Sequence, residues 1–174
     1  MLSIMRNVLV IVLCSMPFGT FAQSPEEKIV KLGLHLPVVS EAIGSYVHAV
    51  RVGNLIYLSG KGPRKDNGEY VKGKLGQDLT IPQGYEAARL TAINQLAVLR
   101  NELGDLNKVK RIVKVNGFVN STVSFYDQPQ VINGFSDLLI AVFGNYGKHA
   151  RTAIGTSVLP LNMAVEVEMI VEVE

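Results

Sequence analysis

The C-terminal segment constrains the fold most strongly, because its side chains alternate in type almost without exception. Every odd-numbered position from 165 to 173 is apolar, and four of the five even-numbered positions from 166 to 174 are glutamates. Successive side chains of a β-strand point to opposite faces of the sheet. The pattern therefore predicts a strand with one buried face and one polar face, and helices must cover the buried face.

Two long helices and further strands are predicted in the rest of the chain. A short helix begins after Ser24, with Pro25 at its first position, and ends at Gly33. The predicted strands are 46–52, 54–59, 109–120, 152–158 and 164–173, and the predicted long helices are 80–104 and about 129–144. This order predicts an α+β two-layer sandwich, in which a mostly antiparallel mixed sheet carries two helices on one face.

The second face of the predicted sheet is not uniformly polar. The strands 46–52 and 54–59 carry apolar side chains on both faces, such as Leu55 and Tyr57 on one face and Ile56 and Leu58 on the other. Strands that are apolar on both faces are usually buried on both. We therefore expect a homo-oligomer whose sheets face each other.

Residues 1–22 predict a secretory signal peptide rather than part of the fold. Arg6 supplies a positive charge, an apolar run covers 8–13, and small residues precede a cleavage site after Ala22. The alternatives are an uncleaved anchor or lipidation at Cys14, but the apolar run is too short to span a bilayer. We therefore expect 23–174 to form a single domain of a secreted or periplasmic protein, without stable membrane insertion.

The composition of residues 23–174 excludes several classes of function. Removing 1–22 takes away Arg6 from 17 basic residues and none of the 15 acidic ones, leaving 16 against 15. Such a balance argues against a nucleic-acid binder that relies on general electrostatics. The only cysteine is also removed, so no disulfide or thiol nucleophile is expected. The three histidines lack metal-ligand spacing, and we expect no metal.

A basic run at 108–114 leaves two interpretations open. It contains Lys108, Lys110, Arg111 and Lys114. Charged side chains at a strand edge discourage sheet-to-sheet aggregation, which is the simpler interpretation. The alternative is an RNA contact surface, but the aromatic residues that stack on bases are missing from this run.

Two charged side chains are the best candidates for chemistry. Arg151 offers a planar guanidinium that holds a carboxylate through two parallel hydrogen bonds. Glu166, if it reaches the same cleft, can orient a water molecule or move a proton. The alternatives are that Arg151 only ends a loop in water and that Glu166 belongs to a solvated strand face.

Five short motifs occur in order along the chain. They are Ala42-Ile43-Gly44-x-Tyr46-Val47, Gly53-Asn54-Leu55-Ile56-x-x-Ser59-Gly60, Ala150-Arg151, Leu159-Pro160 and Val165-Glu166-Val167-Glu168. With these motifs, the stretch from about 42 to 171 resembles the reactive intermediate deaminases, the RidA/YjgF family. The segment 127–134 resembles a branch with longer loops. The chain departs from well-studied members at Ala153, often a cysteine there, and at Ser45, which replaces a proline.

The resemblance implies a chorismate-mutase-like homotrimer with three clefts between subunits. It implies that Arg151 binds the carboxylate of a 2-imino acid or its enamine tautomer. Glu166 would position the attacking water, and Tyr46 would close the pocket wall. The products would be a 2-oxo acid and ammonia, with no metal or organic cofactor.

The resemblance also implies further substrate-binding residues. Ser59 and Gly60 would offer polar contacts, while Phe118 and Asn120 would line the pocket from the neighbouring subunit. The expected function is thus hydrolytic deamination, with a small carboxylate-bearing metabolite as partner and no nucleic acid. A non-catalytic binder of the same carboxylates is the alternative, and an endoribonuclease, an activity described for some family members, is the third.

Overall fold

The computed structural model describes residues 23–42 and 44–174, so the signal-peptide prediction lies outside the described residues. Within them the helices are α1 (Pro25–Lys31), α2 (Ile81–Leu103) and α3 (Gln128–Phe143). The strands are β1 (Ala49–Val52), β2 (Leu55–Lys61), β3 (Val109–Asn120), β4 (Ala150–Thr156) and β5 (Val165–Val173). The predicted order of long helices and strands is confirmed.

Local side-chain hydrogen bonds set where the helices begin. Before α2, the Thr80 hydroxyl accepts from the Gln83 backbone N–H, and the Gln83 side chain accepts from the Thr80 N–H at 2.9 Å. This reciprocal capping box satisfies two N–H groups that the helix leaves unpaired. Helix α2 ends at Gly104, whose φ of 77° suits a residue without a Cβ. Both ends of α2 agree with the prediction.

The five strands form one mixed sheet in the order β1-β2-β5-β3-β4. Strands β3 and β4 are parallel, and the other neighbouring pairs are antiparallel. The sheet is therefore mixed and mostly antiparallel, and α2 and α3 pack on the same face of it. The predicted α+β two-layer sandwich is confirmed.

Strand boundaries differ from the prediction at both sheet edges. Strand β1 begins at Ala49 rather than 46, because pairing with β2 ends at Ala49↔Leu58, where β2 bulges. Strand β4 runs from 150 to 156 rather than from 152 to 158, since it follows β3 in parallel register from Lys114↔Ala150. Tyr46 consequently lies in the loop before β1, and Arg151 lies within β4.

The odd-numbered positions of β5 form the centre of the core, as predicted. Val165, Val167, Val171 and Val173 are fully buried, and Met169 is 2% exposed. The opposite face of the sheet is less covered: Val50, Val52, Tyr57 and Ile154 are 43–59% exposed. Because these apolar side chains share the face that the helices leave open, this face is the part of the described surface best suited to packing against another protein.

We predict that Gly134→Ala lowers the free energy of unfolding by about 1–3 kcal/mol, the usual cost of overpacking. A Cβ at Gly134 would overlap the Tyr85 carbonyl oxygen of α2, a backbone atom that cannot rotate away. Helix propensity alone predicts the opposite sign, a gain of about 1 kcal/mol. Urea unfolding measures the difference. Ala141→Gly, at an exposed position of α3, is the control for propensity, and a stabilised Gly134→Ala variant would contradict the close helix contact.

Candidate functional site

Arg151 lies on β4, at the sheet edge, and its side chain packs against α3. Its Nη1 donates to Asn133 Oδ1 at 2.8 Å and to Ser136 Oγ at 3.0 Å, and its Nη2 donates to the Pro129 carbonyl at 3.4 Å. The side chain is half-buried. Its contacts place the guanidinium on the helix-covered face of the sheet, where three acceptors fix its orientation.

His149 extends this network behind the guanidinium. Its Nδ1 lies 2.6 Å from the Gly147 carbonyl, which only accepts, so Nδ1 carries the proton. Its Nε2 then accepts from Ser136 at 3.0 Å, which leaves the Ser136 oxygen free to accept from Arg151. Burial lowers the pKa of His149, as does the neighbouring Arg151, while the Gly147 hydrogen bond opposes them. We call Arg151, Asn133, Ser136 and His149 the Arg151 cluster.

The Arg151 cluster contains no negative charge. Among the described residues the one ion pair within 4.0 Å joins Arg100 to Glu26. All the oxygens that Arg151 contacts belong to an amide, a hydroxyl and a backbone carbonyl. A half-buried cation that neutral groups orient and no carboxylate neutralises is suited to bind an anion.

Glu166 lies on the opposite face of the sheet. Its neighbours Val165 and Val167 face the helices, so its own side chain points to the open face. Gly60 of β2 makes room for the carboxylate, since a Cβ there would overlap Oε1 of Glu166. Burial raises the pKa of Glu166, Glu168 raises it further, and Lys61 acts in the opposite direction. Such a carboxyl accepts a proton more readily than an exposed one.

Three further side chains are linked to one another next to Gly60, and together with Glu166 we call them the Glu166 cluster. Lys61 follows Gly60, and its Nζ hydrogen-bonds to His48 Nδ1 at 2.5 Å. The other ring nitrogen of His48 lies 2.7 Å from the Ser40 carbonyl, and the Tyr46 ring meets the imidazole edge-on at 6.2 Å. Sequence reasoning missed Lys61 and His48; the one available signal was that Lys61 directly follows the Ser59-Gly60 motif.

Ser59 holds the loop before β1 rather than presenting its hydroxyl to an open pocket. Its Oγ donates to the Val47 carbonyl at 2.7 Å, and its backbone N–H donates to the His48 carbonyl at 3.0 Å. The Ser59 carbonyl accepts from Gln95 of α2 at 2.9 Å, and the same amide nitrogen donates to the Val167 carbonyl at 2.7 Å. Ser59 therefore connects the Tyr46 loop to the core.

Phe118 and Asn120 occupy different environments at the end of β3. Phe118 is half-buried and pairs with Glu166 across the strands, so the two side chains share the open face. Asn120 is fully buried, and its amide donates to Asn162 Oδ1 at 2.9 Å. The structure therefore brings Phe118 beside Glu166, whereas Asn120 connects β3 to the 160–162 turn.

One chain does not assemble all the predicted site residues in one pocket. The two clusters lie on opposite faces of the sheet, separated by β3. Two surface depressions, of about 450 and 590 Å³, contain none of the predicted residues. Within 23–42 and 44–174, no three metal-ligating side chains come together in a group, and none of the helices has the length and hydropathy of a membrane span.

Comparison with known proteins identifies the family. Residues 26–173 match the family described as "YjgF/chorismate_mutase-like, putative endoribonuclease". The chain belongs to this family, also called RidA/YjgF.

The relatives carry different names. Protein TCP17 of Trypanosoma cruzi is 44% identical over 82% of this chain and 89% of its own length. A 2-iminobutanoate/2-iminopropanoate deaminase of Dermatophagoides farinae is 31% identical over 79% of this chain and 93% of its own.

Solved structures support the same fold. The protein Atu1372 of Agrobacterium tumefaciens, of unknown function, is 41% identical with a TM-score of 0.79, over 86% of this chain and 94% of that chain. A putative endoribonuclease of Shewanella oneidensis is 36% identical with a TM-score of 0.83, over 87% of this chain and all of that one.

We predict that Glu166→Gln raises the free energy of unfolding at pH 7. A carboxyl whose pKa is raised by folding stabilises the fold while protonated and loses that contribution as pH rises through the folded pKa. At pH 7 the ionised Glu166 therefore opposes folding, and a neutral amide does not. The gain should vanish below the ordinary Glu pKa of about 4.3.

Urea unfolding at pH 7 and pH 4, at one protein concentration, measures this effect. Glu102→Gln, at an exposed position near the end of α2, is the matched control. Destabilisation by Glu166→Gln at pH 7 would show that the carboxylate is favourably placed and not opposed by burial.

Proposed function

We propose that this protein hydrolyses small 2-imino or 2-enamino acids to 2-oxo acids and ammonia. The observation that carries the proposal is the Arg151 guanidinium, which neutral side chains orient and which no carboxylate neutralises among the described residues. The family supports it, since one relative bears the name of such a deaminase.

Arg151 is the proposed anchor for the substrate carboxylate. Its three hydrogen bonds occupy both N–H groups of Nη1 and one of Nη2. One N–H on Nη2 and the N–H on Nε have no hydrogen-bond partner in the described part of the chain. These two adjacent nitrogens are an arrangement that a carboxylate accepts with both oxygens. The anchor therefore selects a carboxylate.

Glu166 is the proposed base that activates water, with Tyr46 and Phe118 as apolar walls beside it. Its raised pKa favours uptake of a proton from water as the oxygen attacks the C=N carbon. Positioned proton transfer typically accelerates a reaction by about 10²–10⁴-fold. Because imines also hydrolyse without a catalyst, a contribution of this size suffices.

Because the two clusters are separated within one chain, the proposed reaction needs a second copy of the chain. We propose a homotrimeric ring in which the Arg151 cluster of one subunit faces the Glu166 cluster of the next. Strand β4, which carries Arg151, is an edge strand, and β1 forms the other edge. The exposed apolar side chains of the open face support this assembly, because burying them contributes about 25 cal/mol per Å².

We further propose that the protein works outside the cytosol and belongs to a longer-loop branch of the family. The leader-like pattern of 1–22 supports export, and the insertion-like segment 127–134, which here begins α3, supports the branch. The substrate would then be a reactive acid that forms outside the cytosol or escapes from it.

A non-catalytic carboxylate binder is the second candidate function. The observation that favours it is that the Arg151 cluster is complete within one chain, while Glu166 lies on the other face. A coupled assay separates the candidates: an amino-acid oxidase generates the imine, and loss of the imine is followed above its spontaneous rate. Binding of a 2-oxo acid without any acceleration would establish the binder instead.

We predict that Arg151→Ala lowers kcat/KM about 100-fold or more, since each hydrogen bond to a charged group contributes about 1.5–3 kcal/mol. Arg151→Lys should fail nearly as badly, because an ammonium cannot present two parallel N–H groups. Arg89→Lys, a member of neither cluster, is the matched control. Wild-type kcat/KM in Arg151→Lys would remove the guanidinium from the mechanism.

We predict that subunits carrying Arg151→Ala and Glu166→Gln complement each other. If each cleft takes its arginine and glutamate from neighbouring copies of a closed ring, an equal, random mixture contains about one quarter intact clefts. Co-expression with two affinity tags isolates the mixed trimers, each of which contains one intact cleft in three, so their activity should reach about a third of the wild-type value. Activity no higher than that of the parent variants would show that each cleft uses one chain or none.

A further inference from the structure

We propose that Lys61 is a second catalytic acid–base residue, which first gives a proton to the substrate nitrogen and later takes the proton of the hydroxyl group, while Glu166 transfers the complementary protons. The inference rests on the proposed deaminase function and adds a residue to the same cleft. It is carried by the position of Lys61 directly after Gly60, which lies against the Glu166 carboxylate, and by the hydrogen bond of Lys61 to a histidine of fixed tautomer.

A break in the strand register places Lys61. Leu58 pairs with Met169 and Lys61 with Val167, so β2 advances three residues where β5 advances two. The additional residue is a bulge at Ser59 and Gly60, and bulges change the direction in which the following side chain points. Gln95 stabilises the bulge from the core through its bonds to Ser59 and Val167. The bulge leaves Gly60 against the Glu166 carboxylate, and the half-buried Lys61 follows directly after it.

His48 fixes the amine end of Lys61. The Ser40 carbonyl accepts from His48 Nε2, so that nitrogen carries the proton and Nδ1 is the acceptor. Lys61 Nζ donates to Nδ1. An ammonium has three N–H groups, and this bond uses one of them. Within the part of the chain that the structure describes, Lys61 Nζ makes no other hydrogen bond, so the other two N–H groups remain available to a ligand.

The charges around Lys61 suit a proton donor. Burial lowers the pKa of Lys61, and Glu166 of β5 partly opposes this effect. His48, from the loop before β1, is the other titratable group in contact, while α2 contributes the uncharged amides of Asn94 and Gln95 to the adjoining backbone. An ammonium with a lowered pKa releases its proton more easily.

Lys61 and Glu166 do not neutralise each other directly. Lys61 lies close enough for its charge to affect the pKa of Glu166, yet the two form no ion pair within 4.0 Å in the described chain. We place the substrate C=N group between them, with its nitrogen towards Lys61 and its carbon towards Glu166.

The reaction proceeds in two stages, and the protons that Glu166 and Lys61 transfer balance over the two. In the first, water forms a C–O bond to the imine carbon, Glu166 takes a proton from that water, and Lys61 gives a proton to the nitrogen. The result is a carbinolamine, with Glu166 neutral and Lys61 an uncharged amine. In the second, Glu166 returns its proton to the nitrogen, the C–N bond breaks, ammonia leaves, and Lys61 takes the hydroxyl proton as the C=O bond forms. Both residues regain their starting states.

The test compares pH profiles of kcat for wild type, Lys61→Met and Lys61→Arg, after the spontaneous rate is subtracted. We expect wild-type kcat to fall at alkaline pH, as Lys61 loses its proton. Lys61→Met should lower kcat about 10–100-fold at neutral pH, which is at or below the smallest usual contribution of a general acid. The same substitution should abolish the fall of kcat at alkaline pH. Lys61→Arg should not rescue kcat, because a guanidinium keeps its proton throughout this range.

Lys65→Met, at an exposed loop position, is the matched control, and Lys61→Gln replaces Lys61→Met if the latter does not fold. A carboxyl-carbon NMR titration supplies a second readout: the pKa of Glu166 should rise when Lys61 is replaced by methionine. An unchanged pKa would overturn the proximity on which the inference rests.

Different results would overturn the role of Lys61 and the proposed deaminase function. An inactive wild type overturns the deaminase proposal, and the proton-donor role of Lys61 with it. An active wild type whose kcat and alkaline fall persist in Lys61→Met overturns the role of Lys61 alone. Loss of kcat in Lys61→Met, restored by Lys61→Arg, would assign Lys61 an electrostatic role and also overturn proton donation.

Discussion

The one-sided burial of β5 is the constraint on which the rest of the structure depends. This strand pairs with both β2 and β3, and its odd-numbered side chains fill the core beneath α2 and α3. A shift of one residue would expose five apolar side chains and bury glutamates, so the register is strongly fixed. The same constraint directs Glu166 to the open face. The position of the proposed base is therefore a consequence of core packing.

The bulge at Ser59 and Gly60 gives this rigid sheet room for the charged side chains of the Glu166 cluster. Gly60 leaves space for the Glu166 carboxylate, and Lys61 follows directly after the break in register. A bulge lacks part of the regular hydrogen bonding of a sheet, and Gln95 compensates by donating to carbonyls on both strands. Helix α2 thus stabilises the Glu166 cluster from behind, which is why the cluster rests on the core and not on a loop alone.

The sequence predicted features that depend on neighbours along the chain and missed those that depend on pairing between strands. The bounds of β3, the capping box at Thr80 and the alternation of β5 were predicted correctly, because each is a local pattern. The face that Arg151 occupies follows from the parallel register of β4 with β3, which no local pattern reveals. The contact of Lys61 with His48 depends on the bulge and on a tautomer fixed by Ser40, so sequence reasoning did not find it.

Arg151 and Glu166, the two charged residues of the proposed site, benefit physically from lying on opposite faces of the sheet. Within one pocket of one chain, Arg151 and Glu166 would form an ion pair, and each would lose its free charge to the other. Separated by the sheet, the guanidinium keeps N–H groups for a carboxylate, and burial keeps the pKa of Glu166 raised. In the proposed ring the two meet only across a subunit boundary, with substrate between them. The same assembly that covers the apolar open face would then also complete the catalytic site.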